Sequence, residues 1–184
     1  MRLFIATSFP ESVLRELHER VRRVKTKLPP ASWVRLETQH LTLAFLGEQN
    51  ESVIARLDPF VASALAPMRQ FPAQLKGCGF FPNTRRSRVG WAGVTPEEKF
   101  IAVADAVRAA VKETGIQLDG AEFKPHLTLC RIRDSWPPGC VEIFNAAFGK
   151  LESEPFAVDH ITLYSSRLNP NGAVHTPLRQ FALA

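Results

Sequence analysis

The tetrapeptide "HLTL" occurs twice in this sequence, at residues 40–43 and at residues 126–129, and a near copy, "HITL", occupies residues 160–163. Alternate side chains of a β-strand point to opposite faces, so each copy would place His and Thr on one face and two leucines on the other. The leucines would then pack into a core, while the polar pair would face away from it. The two identical copies lie almost half of the chain apart.

The segments around the two copies follow a similar order of predicted elements. Apolar residues at three- and four-residue spacing predict helices, and short apolar runs bounded by Gly or Pro predict strands. The predicted helices cover residues 10–28, 51–66, 96–115 and 140–149. The predicted strands cover residues 2–8, 32–36, 40–46, 71–80, 87–94, 126–132, 156–166 and 172–183, with a turn at "NPNG", residues 169–172. This order predicts an α+β fold of two lobes related by a pseudo-two-fold axis, with antiparallel sheets lining a central cleft and helices packed outside.

The composition is typical of one globular domain. Hydrophobic residues make up 45% of the 184 residues and charged residues 22%, and no Gly/Ser-rich linker divides the chain. We therefore expect a single bilobal domain over residues 1–184. No coiled coil indicates obligatory assembly, so we also expect a monomer.

The net charge of +5 favours an anionic partner, because a positive field concentrates phosphates near the surface. Basic residues gather on the first predicted helix and in the loop before residue 89. The first group is Arg20, Arg22, Arg23, Lys25 and Lys27, and the second is Arg85, Arg86 and Arg88. A solvated helix face is the simpler interpretation of the first group. For the second group, a solvated loop and an anion site remain equally open.

The three cysteines, Cys78, Cys130 and Cys140, are odd in number and have neither a C-x-x-C nor a zinc spacing. Free thiols fit a reducing compartment, and we expect the cytoplasm. The apolar stretch of "MRLFIATSFP" is too short for a signal-peptide core, and no apolar run is long enough to span a membrane. We therefore expect no membrane association.

Two histidines facing one cleft can supply an acid and a base at the same pH, because imidazole titrates near neutrality. Such a pair suits in-line displacement at phosphorus, with Thr hydroxyls and the guanidinium of Arg131 bound to the phosphoryl oxygens. A single His-x-Thr in an apolar strand is usually a core histidine beside a β-branched residue. Because a second identical His-x-Thr motif occurs in the same chain, a catalytic role for both histidines is favoured over the core interpretation. No H-x-H, H-E-x-x-H or nearby carboxylate pair accompanies the motifs, so we expect no metal and no cofactor.

At these residues the chain resembles the two-histidine phosphoesterase superfamily, and specifically its RNA 2′,3′-cyclic phosphodiesterase branch, also called LigT-like or 2′-5′ RNA ligase-like. The doubled His-hydrophobic-Thr-hydrophobic motif defines that family, and the resemblance covers nearly the whole chain. The segments that carry it are "RLFIATSFP", "WVRLETQHLTLAFLGE", "GCGFFPN", "RVGWAGV", "EFKPHLTLCR" and "ITLYSSRLNPNGAVHTPLRQFAL". The resemblance implies a bilobal α+β fold and metal-free opening of a 2′,3′-cyclic phosphate at an RNA end, which leaves a 2′-phosphate.

The resemblance also implies roles for the residues of the motifs. His40 and His126 would be the acid–base pair, with His40 protonating the leaving 3′ oxygen and His126 activating water. The phosphate would be bound by Thr42 and Thr128. Arg131 stands at the family's basic position after the second motif, whereas Phe45 occupies the corresponding place after the first.

The other histidines and aromatic residues receive different interpretations. His160 is interpreted as structural or at most as lining the cleft, His175 as packing or substrate lining, and His18 as solvent-exposed. An RNA base can stack on an aromatic or guanidinium plane. The candidates for such stacking are Phe45, Phe81, Trp33 and Arg131, whereas Trp91 is expected in the core.

Two alternatives to hydrolysis remain. A 2′-5′ RNA ligase would run the reverse reaction in the same site. A binding module without catalysis would hold a terminal phosphate and bind RNA in a salt-sensitive manner.

Overall fold

The structure, a computed structural model, describes residues 1–120, 122–170 and 172–184. The helices are α1 (Glu11–Lys25), α2 (Ser52–Leu65), α3 (Glu97–Glu113) and α4 (Pro138–Phe148). The strands are β1 (Arg2–Thr7), β2 (Ser32–Trp33), β3 (Leu41–Glu48), β4 (Phe71–Phe81), β5 (Val89–Thr95), β6 (His126–Arg131), β7 (Phe156–Val158), β8 (His160–Asn169) and β9 (Gly172–Ala182). Short 3-10 turns lie at Leu36–Thr38 and Thr84–Arg86.

The strands form two antiparallel sheets, in the orders β3-β1-β8-β9 and β2-β6-β5-β4-β7. Apart from the two-residue β2, each sheet has four strands, and the strand that carries "HLTL" is the outermost of the four. β3 and β6 contact each other where the two sheets meet. The predicted bilobal α+β fold with its pseudo-two-fold duplication is therefore confirmed.

The leucines of both motifs supply the predicted core face. Leu41, Leu43, Leu127 and Leu129 are each no more than 1% exposed. A single cluster of buried hydrophobic residues joins both sheets to all four helices. The buried leucines thus hold each motif strand against the core, and the His and Thr side chains face away from it.

Two predicted strands were wrong in extent. Of residues 32–36, only Ser32–Trp33 form a strand; Val34 N still donates to the oxygen of Leu129 at 2.9 Å, and the chain then enters the 3-10 turn Leu36–Thr38. Residues 156–166 divide at Asp159: β7 pairs with β4 in the second sheet, and β8 pairs with β1 in the first. The apolar pattern continues through this crossing, so the sequence does not mark it. The predicted turn at "NPNG" includes Asn171, which lies outside the described residues.

None of the helices in the described ranges combines the length and the apolar composition that crossing a bilayer requires.

Candidate active site

A cleft of about 730 Å³ receives side chains from both sheets. All the residues predicted from the two motifs and the positions that follow them line this cleft: His40, Thr42, Phe45, His126, Thr128 and Arg131. The structure therefore brings together two residue sets that are far apart in the sequence. The contact between β3 and β6 makes this possible.

A β-bulge directs Arg131 into the cleft. In a regular strand, Arg131 would point away from Thr128, because the two residues are three positions apart. In the pairing of β6 with β5, however, consecutive residues of β5 lie opposite Thr128 and Cys130, so Leu129 is an extra residue. The extra residue reverses the alternation, and Arg131 joins the face that carries the histidine and the threonine.

The first motif strand has the same irregularity at the equivalent place. Consecutive residues of β1 lie opposite Thr42 and Ala44, so Leu43 is the extra residue. Phe45 consequently lines the cleft and is 41% exposed. The two halves thus have a β-bulge at the same place, and it directs a phenylalanine into the cleft in the first half and an arginine in the second.

Both motif histidines are anchored through Nδ1 to a backbone carbonyl two residues earlier. His40 Nδ1 donates to the oxygen of Thr38 at 2.8 Å, and His126 Nδ1 donates to the oxygen of Lys124 at 2.6 Å. A carbonyl oxygen can only accept a hydrogen bond, so it fixes the tautomer that carries its proton on Nδ1. In the neutral ring, Nε2 is therefore unprotonated and available to a ligand in the cleft.

Aromatic rings hold each imidazole in place. The ring of His40 lies 4.7 Å from Phe4 and 5.1 Å from His175, measured between centroids, and the contact with His175 is edge-on. The ring of Phe81 meets His126 edge-on at 4.7 Å. Phe81 was predicted to stack on substrate bases, but it does not line the cleft and packs against His126 instead. Trp33, Phe45 and Arg131 do line it.

Burial lowers the pKa of both motif histidines. For His40, burial lowers the pKa to about 4, although the hydrogen bond to Thr38 acts in the opposite direction. The positive charges of His175, Arg131 and His126 lower it further. For His126, burial also lowers the pKa; the hydrogen bond to Lys124 opposes this, and Arg131 adds to the decrease.

Both imidazoles are therefore harder to protonate than the side chain of a free histidine. The described residues that line the cleft include no carboxylate, while Arg2, Arg35 and Arg131 lie among them. A bound phosphate would bring negative charge beside the two imidazoles and would raise their pKa values, because an opposite charge nearby favours the protonated form. An anion bound in the cleft would therefore favour protonation of the two imidazoles.

The remaining histidines fall into different environments. His175 lines the cleft, and its Nδ1 is buried without a hydrogen-bond partner among the described residues. His160 is outside the cleft: its Nδ1 donates to Asp159 Oδ1 at 2.5 Å, and its Nε2 lies 3.4 Å from Ser8 Oγ. These positions agree with the interpretations of both residues from the sequence.

Two expectations about individual side chains were wrong. His18 was expected to be solvent-exposed, but it is half-buried, because α1 packs against the 3-10 turn Leu36–Thr38. Its Nε2 is buried, with no hydrogen-bond partner in the described ranges. Trp91 was expected in the core, yet it is only half-buried and packs on Phe81, with its ring centroid 6.3 Å from that of His126.

Several cleft residues were missed from the sequence, among them Arg2, Arg35 and Gln39. The guanidinium of Arg2 lies 4.8 Å from the ring centroid of Phe45. Arg35 Nη2 donates to the oxygen of Ala173 at 2.9 Å and thereby ties the segment after β2 to β9. Gln39 precedes the first motif and is only 6% exposed. No local pattern identifies these residues, since tertiary contacts alone bring them to the cleft.

No group of three or more His, Cys, Asp or Glu side chains that could hold a metal ion occurs in the part of the chain that the structure describes.

Comparisons with known proteins agree with this geometry. The model of the 2′-5′ RNA ligase superfamily matches residues 9–170. A protein of Thermus thermophilus named RNA 2′,3′-cyclic phosphodiesterase is 36% identical over 194 residues, which cover 100% of this chain and 90% of that protein. A crystal structure of a Thermus thermophilus protein has a TM-score of 0.79 at 30% identity, covering 100% of this chain and 98% of that one. The crystal structure of E. coli LigT complexed with 3′-AMP has a TM-score of 0.73 at 28% identity, covering 99% and 97%.

Proposed function

The chain belongs to the 2′-5′ RNA ligase superfamily, and on that premise we propose that it is a metal-independent RNA 2′,3′-cyclic phosphodiesterase. Its substrate is an RNA or oligonucleotide end that carries a 2′,3′-cyclic phosphate. Water attacks the phosphorus, the bond from phosphorus to the 3′ oxygen breaks, and a 2′-phosphate with a free 3′-hydroxyl remains. One proton leaves the water and one joins the 3′ oxygen, so the reaction consumes one water molecule and no cofactor.

The observation that carries the proposal is the pair of anchored imidazoles in one cleft. Each motif histidine has Nδ1 bonded to a carbonyl and Nε2 available, and each is accompanied by a threonine on the same face. In-line displacement needs a base on one side of the phosphorus and an acid on the other. In the proposed mechanism, Nε2 of His126 accepts the proton of water and Nε2 of His40 donates a proton to the 3′ oxygen.

The remaining cleft residues bind the phosphate and the base. The hydroxyls of Thr42 and Thr128 donate to non-bridging phosphoryl oxygens, and Arg131 supplies a permanent positive charge. The base stacks on Phe45 or Trp33, whose rings offer apolar faces beside the histidines. The negative charge of the bound phosphodiester raises the pKa values of the histidines, which allows one imidazole to hold a proton.

The proposal includes a single bilobal domain over residues 1–184 that acts as a monomer in the cytoplasm. The continuous hydrophobic cluster supports one folding unit. The cysteines Cys78, Cys130 and Cys140 are free, which fits a reducing compartment.

Product identity from a defined RNA tests the proposal. EDTA-treated protein is incubated with an RNA that ends in a 2′,3′-cyclic phosphate, and the product is identified by ³¹P NMR. We expect a 2′-phosphate, whereas a 3′-phosphate would contradict the assignment of the leaving oxygen. RNA binding without any turnover would favour the non-catalytic module instead.

A 2′-5′ RNA ligase is the second candidate, and the name of the matched superfamily favours it. A 5′-hydroxyl RNA added to the same mixture can take the place of water: its 5′ oxygen attacks the phosphorus, the bond from phosphorus to the 3′ oxygen breaks, the proton of the 5′-hydroxyl leaves and one joins the 3′ oxygen, and a 2′-5′ linked product forms. The ratio of ligated to hydrolysed ends then shows which reaction dominates.

A further inference from the structure

Five arginines gather at one end of the second sheet, beside the cleft. Arg131, the last residue of β6, lines the cleft and lies opposite Val89 of β5. The residue before Val89 is Arg88, whose carbonyl accepts a hydrogen bond from Ile132 N at 2.8 Å, and Arg88 Nη1 donates to the oxygen of Arg133. The 3-10 turn just before this strand adds two more arginines. We call this set the arginine rim: Arg85, Arg86, Arg88, Arg131 and Arg133.

The turn that carries the first two members is held in a defined conformation. Asn83 Oδ1 accepts hydrogen bonds from the backbone N–H groups of Arg85 and Arg86, both at 3.0 Å. Ser87 is fully buried, and its Oγ accepts a hydrogen bond from Trp136 N at 3.0 Å. The backbone is therefore fixed on both sides of the two arginines, although their side chains are exposed.

The positive charge of the arginine rim is not neutralised by neighbouring carboxylates. All five side chains are exposed, and none of their guanidinium groups lies within 4.0 Å of a carboxylate in the described ranges. Asp134, next to Arg133, is the one acidic residue in these two stretches of chain, residues 83–89 and 131–136. Five guanidinium groups near one carboxylate repel one another and attract a polyanion.

Three arginines of α1, by contrast, form ion pairs with glutamates of the same helix. Arg15 contacts Glu11 at 2.7 Å, and Arg22 contacts Glu19 at 3.0 Å. Arg20 is paired in the same way with Glu16. Each of these three arginines therefore has a negative charge beside it, whereas the arginines of the rim do not.

We propose that the arginine rim binds the phosphates of the RNA strand that leads to the cyclic end held in the cleft. This inference rests on the proposed function of the cleft. A 2′,3′-cyclic phosphate closes the 3′ end of a strand, so the rest of the RNA must leave the cleft in one direction and carries one negative charge per nucleotide. Arg131 belongs to both the cleft and the arginine rim, which makes the two surfaces continuous.

The inference separates two substrates of the same active site. A mononucleotide 2′,3′-cyclic phosphate fills the cleft but has no phosphates for Arg85 and Arg86. An oligonucleotide reaches both surfaces and gains affinity from each phosphate that replaces bound counterions. The protein therefore prefers oligonucleotide ends over mononucleotides, and this preference decreases as salt increases.

The double variant R85Q/R86Q tests the inference, and R15Q/R22Q is its matched control, because both remove two positive charges from exposed arginines. For the oligonucleotide, we expect kcat/KM of R85Q/R86Q to fall on the order of tenfold. The salt dependence of oligonucleotide binding should weaken by about 0.7 in logarithmic slope for each phosphate that the variant no longer neutralises. Turnover of the mononucleotide should change less than about twofold, and R15Q/R22Q should behave like the parent with both substrates.

Several results would overturn the inference. One is an unchanged kcat/KM and salt slope for the oligonucleotide in R85Q/R86Q. Another is a loss of kcat/KM in R85Q/R86Q that is equal for mononucleotide and oligonucleotide. A third is a loss of kcat/KM in R15Q/R22Q as large as that in R85Q/R86Q. Circular dichroism of each variant verifies the fold. If the parent hydrolyses neither substrate, the proposed function fails, and fluorescence anisotropy with a 3′-phosphorylated RNA still tests the arginine rim. In that assay, equal affinities of the parent and R85Q/R86Q would overturn it.

Discussion

The half of the cleft built around β3 and the half built around β6 share a backbone arrangement but differ in the residue that follows the bulge. In both halves the histidine is anchored by a carbonyl two residues earlier, and an extra leucine after the threonine turns the next cleft residue inward. That residue is Phe45 in the first half and Arg131 in the second. The two halves thus have the same backbone geometry, but the residue after the bulge is apolar in the first half and positively charged in the second.

The difference determines where charge and apolar surface lie. Arg131 places a fixed positive charge beside His126 and Thr128, and the arginine rim continues from it. In the first half, the ring of Phe45 lies under the guanidinium of Arg2, and His175 packs on His40. We therefore expect the phosphate to depend more on the second half and the base to depend more on the first.

Removal of either motif histidine should have the largest effect, because the proposed mechanism takes its acid from one half and its base from the other. We expect H40A and H126A each to lower kcat/KM on the order of 10³-fold, and the double variant to lose little more, since the two groups act as a unit. Initial rates with a 2′,3′-cyclic phosphate substrate measure this.

The matched control is H160A, which removes an imidazole that lies outside the cleft. It should retain activity within about twofold of the parent. If H40A and H126A both kept substantial turnover, the assignment of the acid–base pair would be wrong.

The residue after each bulge tests the asymmetry between the halves. R131Q should lower kcat/KM about 10- to 100-fold, because a charged hydrogen bond to phosphate is lost. R131K should recover part of this loss, since lysine keeps the charge but lacks the planar fork. F45L should cost less than about fivefold, because it only reduces the stacking surface. Equal losses of kcat/KM in R131Q and F45L would show that the phosphate does not depend more on the second half than the base depends on the first.

The two threonines occupy equivalent places in the two motif strands, so their variants test whether both halves contact the phosphate in the same way. T42V and T128V keep the shape of the side chain but remove its hydroxyl. Each should lower kcat/KM about fivefold, as expected for one neutral donor. The steady-state rates of the two variants should be similar; a loss confined to one of them would mean that only one half contacts the phosphate.

The alternation within "HLTL" was sufficient to predict which face of each motif strand is buried, because a period of two leaves one choice once the leucines enter the core. The match to the 2′-5′ RNA ligase superfamily confirms the family resemblance, which depended on the same motifs. The bulges could not be predicted. Leu43 and Leu129 resemble ordinary core residues, and each becomes an extra residue only through the register of a partner strand.

Other features also depend on contacts between distant segments. The crossing at Asp159 leaves the apolar pattern unbroken, and the burial of His18 requires the 3-10 turn Leu36–Thr38 to pack on α1. Arg35 reaches the cleft because it hydrogen-bonds to Ala173 of β9. Sequence patterns describe neighbours along the chain, so they locate the motif residues but not the residues that surround them.

The smallest expected effects concern protonation of the imidazoles in the cleft, and the first half has one more of them, His175. Burial lowers the pKa values of both motif histidines below their usual 6.5, to about 4 for His40. The proposed mechanism requires one protonated and one neutral ring in the free protein, and the singly protonated state becomes rarer as pH rises above both pKa values. The optimum of kcat/KM should therefore lie below pH 6.5, whereas kcat should peak at higher pH because bound phosphate raises both pKa values.

The variant H175F replaces this imidazole with an apolar ring that can still pack on Phe4 and His40. Burial remains the main cause of the low pKa of His40, and Arg131 and His126 still face it, so only a minor cause is removed. The pKa of His40 should rise slightly, and the acidic limb of the kcat/KM profile should move to higher pH, with activity at neutral pH changing less than about threefold. Profiles of kcat/KM against pH for the parent and H175F measure this shift. A shift to lower pH would mean that His175 stabilises the protonated form of His40, for example by accepting its proton through an ordered water, and the first half would then contain a histidine pair that the second half lacks.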